Sequence, residues 1–361
     1  MRPSRVPAIF RLGRRRPMVA AAAALLAAAW AAGAAAHRAG VPREVLAFYY
    51  GWYGNPAVSG RWVHWQGVDA AQQQIANAAD YPVMGAYDSH DPALVARQAA
   101  LAHAAGITGF IASWWGRGDF TDRGLPLLLA AAHREGLVVS AYYETIHADT
   151  PSMRQAAAVA DLDYLIRRYG GAPAWLRVAG KPVVFVYARA LLALSPPQWR
   201  AVLARVRHDN PGGALFIADS LAPTYVAVFD GASTYNITDQ TQHLSPAQAG
   251  AWARAAYPRM TAAAGSGKIT TVTVIPGYDD SKTGRPPPRP ITFRYGGETY
   301  DALWRQALRA APDWVLITSW NEWHEGSELE PSLQYGARIL DDTTAFARSF
   351  LSLPPGGKDA R

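Results

Sequence analysis

With 361 residues, half of them apolar and 17% charged, the chain is too apolar for a disordered protein and long enough for a large buried core. The absence of cysteine excludes a disulfide framework, a thiolate metal site and a lipidated N-terminal cysteine. The formal charge of +7 invites a nucleic-acid reading, but six of the 35 Lys and Arg lie within the first 16 residues; the remaining 29 nearly balance 28 Asp and Glu, which excludes nucleic acid as a partner.

Those six are Arg2, Arg5, Arg11, Arg14, Arg15 and Arg16, followed by an almost unbroken Ala, Leu and Val run from Met18 to Ala36. A charged n-region, an apolar h-region and the small-residue site Ala34-Ala35-Ala36 predict a signal peptide at 1–36. The run is also about 20 residues long, so an uncleaved N-terminal anchor is the alternative. Either way the predicted location is exported: periplasmic, extracellular or held at the membrane surface. Residues 37–361 are the predicted catalytic domain, a monomer that touches a membrane only through an uncleaved N-terminal segment.

From Val45 onward, apolar runs of Val, Ile, Tyr and Phe alternate with Ala-rich segments of helical periodicity, the pattern of parallel βα units. The runs are Val45–Tyr53, Val83–Asp88, Ile107–Trp115, Leu137–Glu144, Val183–Tyr187, Leu215–Asp219, Ala232–Ile237, Thr271–Tyr278 and Trp314–Trp320. Turn residues crowd Val83–Asp88, which is assigned to the loop after the first strand. The other eight predict an α/β fold, a single (β/α)8 TIM barrel with extended loops at the C-terminal face. Helices are expected over Pro92–Ala105, Asp122–Arg134 and Ser152–Tyr169, each stopped by glycine. Ser281–Gly297, carrying Pro286-Pro287-Pro288-Arg289-Pro290, is expected to be a long loop over the barrel mouth.

Barrel enzymes place their chemistry at the C-terminal strand ends. In order these ends show Tyr49, Tyr50 and Trp52; Trp114 and Trp115; Glu144; Tyr187; Asp219; Tyr235 and Asn236; Tyr278 and Asp279; then Asn321 and Glu322. Every end carries an aromatic or a carboxylate, and 13 Trp and 17 Tyr supply the flat amphipathic rings that stack on sugar faces. Glu322 and Glu325 form the pair that glycoside cleavage requires, with Trp320, Trp323 and His324 to desolvate one carboxyl and separate the two pKa values. Glu328 and Glu330 are read as structural or rim residues. Judged alone, Glu144 could equally pair with an arginine, and Tyr187 and Tyr235 could merely cap the core. His64, His90 and His324 show no metal-ligand spacing with Asp88 or Asp91, so neither metal nor cofactor is expected.

Five segments resemble family 99 of the glycoside hydrolases, the endo-α-1,2-mannosidases and endo-α-1,2-mannanases. They are Ala47-Phe48-Tyr49-Tyr50-Gly51-Trp52-Tyr53, Gly85-Ala86-Tyr87-Asp88-Ser89-His90-Asp91, Gly109-Phe110-Ile111-Ala112-Ser113-Trp114-Trp115-Gly116, Gly180 to Tyr187, and Trp320-Asn321-Glu322-Trp323-His324-Glu325-Gly326. The resemblance implies a retaining, endo-acting cleavage of α-mannosides through a 1,2-anhydro sugar, with Glu322 as base on the substrate's 2-hydroxyl and Glu325 as acid and base at the leaving oxygen. It implies that Glu144 binds sugar hydroxyls beside the cleavage point, that Tyr187 and Tyr235 stand near the reacting sugar, and that Trp114 or Trp115 ends the donor site. The rim adds Tyr50, Asn321 and His324 as expected substrate contacts. The expected partner is an oligo- or polysaccharide of α-mannan type. Two alternatives remain at this stage: a related barrel hydrolase acting on another α-linked surface polysaccharide, and a non-catalytic glycan-binding barrel.

Overall fold

The computed structural model describes residues 40–353, so the signal or anchor segment predicted at 1–36 lies outside the described residues. Eight strands run parallel: β1 (Glu44–Tyr49), β2 (Gly109–Trp114), β3 (Val138–Tyr143), β4 (Lys181–Val186), β5 (Leu215–Asp219), β6 (Gly231–Ser233), β7 (Ile269–Val274) and β8 (Trp314–Ile317). β1 pairs with both β2 and β8, and β3 pairs with β4 through Ala141 and Val184, so the sheet closes on itself. This is the expected (β/α)8 barrel.

Helices α1 (Pro92–Ala104), α2 (Phe120–Arg134), α3 (Arg154–Arg168), α4 (Pro196–Asp209), α5 (Pro223–Val226), α6 (Pro246–Ala263), α7 (Glu298–Ala310) and α8 (Arg338–Leu351) follow the strands in turn. Their starts are written locally. Asp91 accepts from Ala93 N ahead of Pro92, Asp119 accepts from Thr121 N, and Ser245 forms a capping box with Gln248 ahead of Pro246. α5 is a single turn, because β6 holds only three residues and leaves little wall to cover. The run read as Ala232–Ile237 therefore overshoots: Thr234 onward has already left the barrel wall. Val83–Asp88 is loop, as expected.

The two-residue period of a strand divides the core in two. Leu46, Phe48, Ile111, Tyr142, Val183, Phe185, Ile217, Trp314 and Leu316 fill the barrel interior. Val45, Ala47, Phe110, Ala112, Val139, Val184, Val315 and Ile317 face outward and bury the helices. No helix among the described residues is long and apolar enough to cross a membrane.

Candidate active site

β8 ends at Ile317, and the chain then folds into a compact turn ending in a 3-10 helix at Trp323–Glu325. Ser319 holds the turn shut, accepting from Glu322 N at 2.7 Å while bonded to Ser327 Oγ at 3.0 Å. After Glu325, Gly326 takes φ +54, and a Cβ there would stand 3.1 Å from Asp279 O, so glycine allows both the left-handed step and the close approach. Asn321 clamps this turn to the end of β1: its Oδ1 accepts from Tyr50 N at 2.7 Å and its Nδ2 donates to Tyr50 O at 3.0 Å. Asn321 is fully buried. It positions Tyr50 and Glu322 and does not face the cavity.

The turn opens on a cavity of about 380 Å³ at the C-terminal face of the barrel. Of the residues expected at the site, Tyr50, Trp115, Glu144, Tyr187, Tyr235, Glu322, His324 and Glu325 line it together. Its floor is aromatic, with Phe48 at 4.8 Å from Tyr142 and 4.9 Å from Tyr235, and Tyr142 at 5.1 Å from Tyr187. Trp114 requires a correction. It is 1% exposed, turned to the helix side of β2, and its indole donates to Asp122 Oδ1 at 2.8 Å. Alternation along β2 sends Phe110, Ala112 and Trp114 outward, leaving Trp115 to reach the cavity.

Glu322 and Glu325 sit in unlike surroundings. Glu322, 2% exposed, accepts from His324 N at 3.2 Å and pairs with His324 Nδ1 at 3.2 Å. Burial pushes the Glu322 carboxyl up, and the His324 hydrogen bond and charge only partly offset this. Burial alone would lower His324, but Glu322 outweighs it and the imidazole ends above its ordinary value. Glu325, 8% exposed, accepts from Tyr235 Oη at 3.0 Å on Oε2 and from Arg285 Nη2 at 2.8 Å on Oε1. Glu144 accepts from Ser113 Oγ at 2.7 Å, and Ser113 in turn accepts from Trp115 Nε1 at 2.9 Å. Burial lifts the Glu144 carboxyl to about 8.

Three further groups complete the walls, Arg189 among them unforeseen. Trp52 stacks on His64 at 4.4 Å and 7°, forming one wall. Arg189 lies over Trp115 at 4.8 Å and Tyr187 at 5.5 Å. Lys282 to Arg285, from the loop after β7, close another side. That loop does cover the mouth, and it is braced by an antiparallel pair, Tyr278–Asp279 with Ile291–Thr292. Glu328 and Glu330, read as structural or rim, are buried: Glu328 pairs with Arg294 at 2.5 Å, and Glu330 accepts from Tyr87 Oη and Gln98 Nε2, both at 2.7 Å. Among the described residues no three His, Asp or Glu side chains gather as they would around a metal ion.

A closed (β/α)8 barrel presenting two buried acids and an aromatic cleft at the C-terminal face has the build of a glycoside hydrolase. The profile of glycosyl hydrolase family 99 matches residues 41–343, and the chain belongs to that family. A glycoprotein endo-alpha-1,2-mannosidase of Rattus norvegicus is 27% identical over 327 residues, covering 80% of this chain and 68% of that protein. A glycoprotein endo-alpha-1,2-mannosidase-like protein of Homo sapiens is 27% identical over 329 residues, covering 80% and 69%. Among solved structures, a GH99 endo-alpha-mannosidase from Bacteroides thetaiotaomicron superposes with a TM-score of 0.72 at 26% identity, over 86% of this chain and 98% of that one.

Proposed function

We propose that the protein is an endo-acting α-mannosidase that hydrolyses an internal α-1,2 bond with retention, using the substrate's own 2-hydroxyl as the nucleophile. Family membership and the similarity to endo-alpha-mannosidases support the substrate class. The observation that carries the mechanism is the unequal partnering of the two acids: an imidazole on Glu322, a tyrosine and a guanidinium on Glu325. In the first step Glu322 takes the 2-hydroxyl proton, O2 bonds to C1, and the C1 bond to the leaving oxygen breaks as that oxygen takes a proton from Glu325. In the second, water gives a proton to Glu325 and attacks C1, the O2 to C1 bond opens, and O2 recovers its proton from Glu322. Two inversions at C1 give net retention and consume one water. Glu144 and Tyr187 are placed to hold sugar hydroxyls, with Trp115 as a stacking face.

Residues 1–36 complete the proposal as an export segment, supported by six arginines ahead of the apolar run from Met18 to Ala36. N-terminal sequencing of the mature protein distinguishes cleavage from anchoring. The reaction is tested by digesting a panel of α-linked glycans and reading the anomer of the first product by NMR. α-Configured products from α-1,2-mannan, lost in Glu322→Gln and in Glu325→Gln with folding intact, are expected. Cleavage of a different α-linked polysaccharide alone assigns another substrate, and near wild-type turnover in both variants ends the proposal.

A further inference from the structure

The cleft does not stop at Trp115. Two more cavities share that side chain with the catalytic one: about 460 Å³ bounded also by Trp52, Arg61, Asp119 and Arg123, and about 630 Å³ bounded by Arg117, Asp119, His147 and Asp161. Trp115 thus borders all three cavities, its indole held by Ser113 and its backbone by His147, whose Nε2 lies 2.7 Å from the Trp115 carbonyl.

The two outer cavities have a sign. Their acids are committed: Asp119 caps α2 and holds the Thr121 hydroxyl at 2.7 Å, and Asp161 accepts from Tyr143 Oη at 2.8 Å and pairs with Arg117 at 3.6 Å. Their other arginines are not. Arg61 and Arg123 are exposed and make no ion pair among the described residues. Arg123 is directed by donation to Gly118 O and by the Phe120 ring. An exposed guanidinium beside aromatic surface, with donors left over, recognises a planar or tetrahedral anion carried on a sugar.

We propose that these two cavities bind an acidic extension of the substrate, sugar units bearing a uronate, phosphate or sulfate group, beyond Trp115. The proposal rests on the reading of the site above, in which Trp115 stands at the donor side; the extension is then the non-reducing arm. The uncharged part stacks on Trp115, and Arg61 and Arg123 take the anionic group.

The test uses the Glu325→Gln protein, so that binding is read without turnover. Calorimetry compares two linear α-mannopentaoses identical except for a 6-phosphate on the non-reducing terminal sugar. The phosphorylated arm is expected to bind about tenfold tighter at low salt, with the advantage shrinking at high salt and disappearing when Arg61→Ala and Arg123→Ala are added. The neutral sugar should bind all forms alike. Equal affinities, an advantage that survives the double substitution, or no binding of the phosphorylated arm to folded protein overturns the proposal. Hydrolysis of the neutral sugar by the wild-type protein is scored separately, so failure of the α-mannosidase reading shows there and nowhere else.

Discussion

Arg285 lies 2.8 Å from Glu325, reaching down from the loop after β7 to occupy Oε1 while Tyr235 occupies Oε2. Each oxygen of the proposed acid therefore has one donor, and a lone pair on each is left for the proton that passes to the leaving-group oxygen. The same arginine meets Asp280 at 3.4 Å and the Tyr278 hydroxyl at 3.1 Å, which hold it against Glu325.

The Arg285 side chain is 52% exposed, so solvent screens the pair and its share of stability is under about 1 kcal/mol. Its influence belongs in turnover. Arg285→Ala should leave the melting temperature within a degree or two and lower kcat/KM by about 10- to 100-fold, the value of one charge-assisted hydrogen bond. Steady-state kinetics beside a thermal melt separates the two effects. Unchanged kinetics would show that Glu325 needs no help from this loop.

A second expectation concerns pH. As a base Glu322 must be ionised, and burial holds its pKa above the ordinary carboxylate value, so the acid limb of kcat/KM should lie above that of an exposed glutamate. His324 opposes the shift through its hydrogen bond and charge. Removing it in His324→Ala takes away the lowering influence, so the limb should move to higher pH. A limb that stays fixed or moves down contradicts the assignment of Glu322 as base.

Glu330 supports the catalytic turn from behind. It accepts from Tyr87 Oη, whose oxygen also receives Trp323 Nε1 at 2.9 Å and Asn321 Nδ2 at 3.1 Å. Glu330→Leu strands buried donors on Tyr87 and Gln98, and should cost at least about 2 kcal/mol of stability and reduce kcat more than it changes KM. Glu330→Gln keeps one acceptor, and Gln98, itself bonded to Tyr49 Oη at 2.8 Å, can turn its amide to match. Rescue of kcat by glutamine but not leucine marks positioning; equal damage by both marks a requirement for the charge itself.

The barrel was legible because its signal is long-range and repeated: eight apolar runs, most of them followed by a helix that opens on Pro, Asp or Ser and closes on glycine or a basic turn. The acids were legible because Glu322 and Glu325 share one short turn. Trp114 was misplaced although strand parity separates it from Trp115, since Ile111 and Ser113 face inward with Trp115 while Phe110 and Ala112 face out. Arg285 and Arg189 had no such signal. Arg285 stands 40 residues before Glu325 in an irregular proline-rich loop, and only closure of the barrel brings the two together. Asn321 was expected to touch substrate because it neighbours Glu322; both faces of its amide are instead spent on Tyr50 backbone, a pairing set by the register of β1 beside β8.

The buried acids also fix how stability responds to pH. Burial raises Glu44 to about 7, Glu144 to about 8, Asp219 to about 6 and Glu330 to about 7. Each binds its proton more tightly folded than unfolded, so its contribution is complete below the unfolded value near 4 and is lost as pH rises through the folded one. The melting temperature should therefore fall between about pH 5 and pH 8. Glu330→Gln cannot ionise and escapes its part of that loss, which for Glu330 is roughly 3 kcal/mol by the size of the shift. Its stability relative to the wild type should climb steadily from pH 5 to pH 8. Denaturant unfolding of both proteins across that range measures the difference, and a difference independent of pH would mean that Glu330 is already ionised in the folded protein at pH 5.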